Sequence, residues 1–179
     1  MWKEFKPALR FVLLFVGLYF AGNIVYGIYI FSKGNSPDEI TMEVAQQSSW
    51  VLNQLGYDVD HGANKTGPTV LIKSKGKTIL SIYEGCNGIN VFIVFAAFVI
   101  AFGGHLKKYF WFIPIGIVVL HASNLLRIVL LYWTAIDYYR YFYYVHKYIF
   151  TAAIYAVVFV LWMVWANKLN ERKKDAPAK

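Results

Sequence analysis

The chain has 179 residues, 58% of them hydrophobic and 19% aromatic, a mean hydropathy of +0.44 and a formal charge of +8. A water-soluble domain of this size cannot hide that much apolar surface, and long apolar runs mark an integral membrane protein. A single cysteine, Cys86, excludes an internal disulfide, so pairing says nothing about the redox compartment.

In chain order, a short basic piece (1–8, with Lys3 and Lys6) leads into the first apolar run, LRFVLLFVGLYFAGNIVYGIYIF at 9–31. That run exceeds the 7–15 residue core of a signal peptide, which predicts an uncleaved first span. Residues 32–85 form the one sizeable water-facing piece. SPDE at 36–39 predicts a helix start, with Ser36 capping, Pro37 in the first turn and Glu39 completing a capping box. Ile40, Val44, Val51, Leu52 and Leu55 make an apolar stripe, and Gly56 is the stop. TVLIKSKGKTILSIY then reads as two strands around a turn at Ser74–Gly76.

The second run, GINVFIVFAAFVIAF, is short, since a span needs roughly 20 mostly apolar residues. A helix over 86–106 supplies them and sets Cys86 at its outer mouth. The third span is expected at 109–136, an outer loop at 137–146, the fourth span at 147–167 and a basic tail at 168–179. The tyrosines from Tyr138 to Tyr148, with Tyr132 and Trp133, read as an interfacial aromatic belt. With both termini inside, the inner pieces carry ten basic residues and the outer pieces seven. Basic residues favour the inner side, so the +8 reads as topology rather than nucleic-acid binding. The expected fold is an all-α integral membrane protein with four transmembrane helices, both termini inside. A small extracytoplasmic helix plus β-hairpin insert follows the first span.

Ionisable groups within a membrane are costly and point to function. The third span carries His121, Asn124 and Arg127 in HASNLLRIVLL, spaced by three on one broad helical face. Counted from the outer end, Arg127 falls in the outer leaflet. His146 stands just before the fourth span, and Cys86 at the start of the second. A thiol, a guanidinium and an imidazole thus share one depth on one side. A thiolate is a nucleophile, and a helix N-terminus or a nearby cation favours it. Imidazole suits proton transfer, and arginine holds an oxyanion or a carboxylate. Gly85 and Gly88 allow close backbone approach, while the Glu84 carboxylate opposes thiolate formation. Taken singly, each group has a plainer reading: a packing thiol, a snorkelling arginine, an interhelical hydrogen bond from His121, an interfacial His146. His61 and His105 lack partners at metal-ligand spacing, and no zinc pattern, phosphate loop or serine-centred motif is present.

EGCNGIN (84–90), NLLR (124–127) and His146, in that order on successive spans, resemble the exosortase/archaeosortase family, most closely its short type called XrtF. Its members are multi-pass membrane proteins described as cysteine transpeptidases. They carry a Cys-x-Gly motif, an Asn-x-x-Arg motif and a histidine. Cys86-Asn87-Gly88, Asn124 with Arg127, and His146 match these. Asn87 stands where many members have serine or threonine, and four spans are fewer than many members have. The resemblance implies Cys86, Arg127 and His146 as catalytic residues. Asn87, Gly88, Asn124, His121 and Glu84 are the substrate-binding or supporting ones. It implies cleavage of the C-terminal hydrophobic sorting tail of exported proteins through a cysteine thioester. Transfer is to an amine of a lipid or envelope component, or to water. No metal or organic cofactor is required, and the partners are the exported proteins and the lipid bilayer. The expected location is the bacterial inner membrane, with the site facing the extracytoplasmic side. Two other classes fit the residues alone: a non-enzymatic scaffold subunit docking through the outer helix and hairpin, and a small transporter with Arg127 and His121 on a polar path.

Overall fold

The structure, a computed structural model, describes residues 2–104 and 106–174. A long helix α1 (Trp2–Lys33) is followed by α2 (Glu39–Gln54) and by strands β1 (Val59–Ala63), β2 (Val70–Ser74) and β3 (Lys77–Ile82). A 3-10 turn (Glu84–Cys86) leads into α3 (Ile89–Phe102), and α4 (Leu106–Asp137) returns. A 3-10 turn (Tyr139–Tyr141), a single helical turn (Phe142–Tyr144) and a π turn (Val145–Ile149) then run into α5 (Phe150–Lys174).

Three helical stretches are long and apolar enough to cross a membrane: Phe5–Lys33, Lys107–Asp137 and Tyr139–Asn167. The expected second span is shorter than 86–106. Helix α3 has 14 residues and rises about 21 Å, against a hydrocarbon core of about 30 Å. It is bounded by Gly88 and Gly103, whose φ values of +91° and +94° take the backbone out of the right-handed helix at both ends. The segment expected as an irregular outer loop at 137–146 is mostly helical. The expected tail at 168–179 continues α5 as far as Lys174. Met1, His105 and residues 175–179 lie outside the described residues.

Helix α3 sits between α1, α4 and α5. Phe95, Val99, Leu120, Val158 and Trp165 form a buried cluster there. Phe95 seats its ring on Gly116 of α4, where a methyl group would have no room. Phe98 stacks on Trp162 at 4.1 Å between ring centroids, and Phe15 of α1 meets both rings edge-on. Leu13, Phe20, Val25 and Ile28 of α1 stay exposed, the kind of surface a bilayer covers.

The outer unit differs from the expected helix plus hairpin by one strand. β1 pairs antiparallel with β2, from Val59 opposite Ser74 to Ala63 opposite Val70. Its sequence, VDHGA, buries only Val59, so no apolar alternation announces it; its place comes from the backbone ladder. β2 and β3 form the expected hairpin, through Lys75 and Gly76 at φ +48° and +76°. Both central residues at positive φ make a turn whose twist matches the strands. Asp38, not Ser36, caps α2, accepting from the Thr41 N–H at 3.0 Å. Ser36 lies too far ahead of the first helical residue. Glu39 bonds across the corner to Lys33 and Tyr29 of α1 instead of closing a capping box. Those two partners hold its carboxyl down at about 2. The buried face of α2 is Thr41, Val44, Ala45, Ser48, Ser49 and Leu52, while Leu55 is exposed. Small residues let α2 lie close to the sheet and α4.

That face and Val70, Ile72, Leu80 and Ile82 of the sheet pack on Ile128, Val129, Leu131 and Tyr132 of α4. Tyr132 is therefore a core residue rather than part of an aromatic belt, edge-on to Tyr57 at 5.4 Å, with Trp133 partly buried beside it. Tyr138, Tyr139, Tyr141, Tyr143, Tyr144 and Tyr148 remain exposed. Leu52 is fully buried at the centre of this unit. Leu52→Ala is expected to cost about 2–5 kcal/mol. Hydrogen exchange in detergent should then quicken in α2 and the sheet while α5 peptides keep the wild-type rate.

Candidate functional site

Cys86 ends the 3-10 turn, three residues ahead of the first residue of α3, rather than starting the helix itself. Its N–H donates to the Tyr83 carbonyl at 2.8 Å, and its carbonyl accepts from Asn124 Nδ2 at 2.9 Å. Gly88 needs its positive φ to turn the chain into α3, and a Cβ there would stand 3.4 Å from Asn124 Nδ2. Gly85 lies against the Tyr83 ring, which leaves no space for a side chain.

Asn87 is the joint between this turn and the rest of the molecule. Its amide is 1% exposed. Nδ2 donates to the Tyr26 hydroxyl of α1 at 2.7 Å and to Thr41 Oγ1 of α2 at 3.1 Å. Oδ1 accepts from the Ile89 N–H at 3.0 Å. Thr41 Oγ1 donates onward to the Asp38 carboxylate, and the Tyr26 hydroxyl donates to the Glu84 carbonyl at 3.4 Å. Every polar atom of the buried amide is thus used, which the cost of an unpaired buried group demands. Tyr26, Asp38 and Thr41 carry no signal in the sequence. They lie 61, 49 and 46 residues from Asn87, and only the fold sets them together.

The structure brings Cys86, Arg127 and His146 into one triangle. His146 Nε2 is 3.8 Å from Cys86 Sγ, Arg127 Nη2 is 3.9 Å from the same sulfur, and Nη2 is 3.4 Å from Nε2. Arginine only donates, so Nε2 is the acceptor and the ring proton sits on Nδ1, leaving a neutral imidazole. The ring lies parallel to Phe142, 2° apart in plane, one turn earlier. The π turn at Val145–Ile149 carries His146 toward the thiol, and such turns recur at functional sites. Arg127 has a buried Nε with no hydrogen-bond partner. Among the described residues the one ion pair is Lys33–Glu39, so no carboxylate neutralises this guanidinium. The residue is half-buried, and a partly desolvated cation without a counter-ion favours any anion that forms beside it.

The thiol is not depressed as expected from the sequence. Burial pushes the Cys86 thiol up, and the pull of Arg127 in the other direction is smaller. The sulfur has left water without gaining the N-terminal position on α3. His121 is placed elsewhere: its Nε2 is 2.6 Å from Gln47 Oε1 of α2, and its ring meets Phe92. Glu84 lines a cleft with Ile30, Lys33 and Asp38, on the α1 side of the turn. Neither contacts the triangle.

A family model described as Transmembrane exosortase (Exosortase_EpsH) matches residues 6–164. The chain belongs to this family. No curated protein and no solved structure matches it. The match begins in the first helix, well ahead of the motifs at 84–90. The first helix and the helix–sheet unit after it fall within the matched residues, and both supply partners to Asn87.

Two outcomes follow from this geometry. Asn87→Ala leaves the Ile89 N–H without its acceptor and takes a donor from the Tyr26 and Thr41 oxygens, and is expected to cost about 1–3 kcal/mol, read as a lower melting temperature in detergent. Alkylation of Cys86 by iodoacetamide should climb with pH to a midpoint above the ordinary thiol value of about 8.5, because burial favours the protonated form. Arg127→Gln removes the cation that favours the thiolate and should move that midpoint further up.

Proposed function

We propose that this exosortase is a membrane-embedded cysteine transpeptidase that removes the C-terminal sorting tail of exported proteins. The observation that carries the reading is the triangle: a thiol, an imidazole and a guanidinium, each from a separate element, within 3.4–3.9 Å of one another. The resting thiol is protonated and the imidazole neutral, so the first step is proton transfer from Cys86 Sγ to His146 Nε2. The sulfur attacks the carbonyl carbon of the peptide bond ahead of the tail. The carbonyl oxygen becomes an oxyanion, and Arg127 is the unpaired cation that receives it. His146 then gives its proton to the departing amine, the C–N bond breaks, and a thioester remains on Cys86. An acceptor amine attacks the thioester, His146 takes its proton, and the thiol is restored. Water in place of the amine gives a protease.

Asn124, through the Cys86 carbonyl, and Asn87, through α1 and α2, are positioning residues in this scheme. The proposed topology has four membrane helices with both termini cytoplasmic, with α3 as the short one, in a bacterial inner membrane. The excess of basic residues in the inner pieces supports that orientation. The site then faces the extracytoplasmic side. The acceptor is an amine of a lipid or envelope component.

The test uses cells lacking the gene, complemented with wild type or Cys86→Ala, and maps the C-termini of envelope proteins by mass spectrometry. A set of proteins should lose its hydrophobic C-terminal segment only with the wild type. Arg127→Ala and His146→Ala should each slow tail removal by a factor of about 100 or more. Identical termini in wild-type and Cys86→Ala cells, with the protein present at equal level, would overturn the proposal.

A further inference from the structure

A groove of about 290 Å³ lies between α3 and α5, beside two corners of the triangle, Arg127 and His146. Arg127 and His146 stand at its head, Asn90 and Val91 form its α3 wall, and Thr151 and Ile154 form its α5 wall.

Its polar lining is unusual for its place. Asn90 and Thr151 are both exposed on apolar helices, and neither side chain hydrogen-bonds to another group among the described residues. A polar side chain on a surface that faces lipid is costly unless something polar meets it. The chemistry at Cys86 supplies that need. A peptide carbonyl within an intact helix is screened by its own turn, so attack requires a locally unwound substrate. Unwinding frees backbone N–H and C=O groups that need new partners wherever water is excluded. Asn offers a donor and an acceptor, and so does Thr. Val91 and Ile154, with the rings of Tyr83 and Tyr155, give part of the wall an apolar character that suits substrate side chains, and Lys147 adds a cation to it.

We infer that the groove between α3 and α5 holds the unwound segment of the substrate next to the scissile bond, and that Asn90 and Thr151 hydrogen-bond its backbone. The inference rests on Cys86 as the nucleophile. It adds a lateral entry route: the tail approaches through the bilayer on the α3–α5 side, and its extended segment slots in beneath Arg127 and His146.

The test uses the full chain in native membranes. A photoreactive benzoylphenylalanine is placed at Thr151, or at Val25 on the exposed face of α1, in a Cys86→Ala background that retains uncleaved substrate. Crosslinks from position 151 should map to exported proteins, just ahead of a C-terminal hydrophobic segment, and those from position 25 should not. Lipid adducts alone at 151, or the same peptides from both positions, would overturn the inference. In the active chain, Asn90→Ala and Thr151→Ala should each slow tail removal about tenfold, and Thr151→Ser should stay within about twofold of wild type. Wild-type rates in both alanine variants would also overturn it, while leaving Cys86 as nucleophile intact. Unprocessed tails equal in wild-type and Cys86→Ala cells would instead remove the nucleophile, and the groove reading with it.

Discussion

A buried amide must find a partner for each of its polar atoms, and at Asn87 that requirement ties three parts of the molecule together. One side chain, 1% exposed, holds the first helix through Tyr26, the outer helix through Thr41, and the start of α3 through Ile89. The cysteine is the adjacent residue. Its place relative to α4 and the π turn therefore depends on α1 and α2, which contribute nothing to the triangle directly. Serine or threonine at position 87 would have one hydroxyl for the work of a two-donor, one-acceptor amide. The neighbouring partners in this chain, two hydroxyls and a backbone N–H, suit asparagine.

The second constraint is electrostatic. The thiol and imidazole are neutral at rest, and the guanidinium beside them has no counter-ion among the described residues. In this half-buried position the unpaired cation is partly desolvated, and its cost falls when a negative charge forms within its reach. Burial raises the thiol, which keeps the sulfur protonated until something draws the proton away. The arrangement suits a centre in which charge appears only as the reaction proceeds. Arg127 and His146 belong both to the triangle and to the lining of the groove between α3 and α5, so in the proposed reading the same few residues bear on both chemistry and access.

The sequence was most legible where spacing along one helix or one turn carries the meaning. Arg127 and Asn124 lie three apart on α4, and they face the cysteine turn together. His121 has the same spacing yet faces α2, because a step of three on a helix still rotates the face by about 60° and Gln47 is there to meet it. β1 went unread because five residues with one buried side chain have no period. Asp38 replaced Ser36 as the cap because the first helical residue lies one place beyond it. The aromatic belt lost Tyr132 to the core, since a tyrosine's preference for an interface does not say which interface.

Composition and order along the chain determined a great deal: a membrane protein, a polar unit after the first helix, and a Cys-x-Gly, Asn-x-x-Arg, His series by which it resembles the family whose model it matches. Those are local or compositional properties, set by transfer free energy and by motif spacing. Tertiary structure alone decided that Cys86 sits in a turn ahead of α3, that its thiol is raised rather than lowered, and that Asn87 is clasped by Tyr26 and Thr41. It also decided that Asn90 and Thr151 share one groove. Each of these depends on groups dozens of residues apart meeting within about 4 Å. No periodicity records such a meeting, because it is set by how helices pack and not by how any one of them is written.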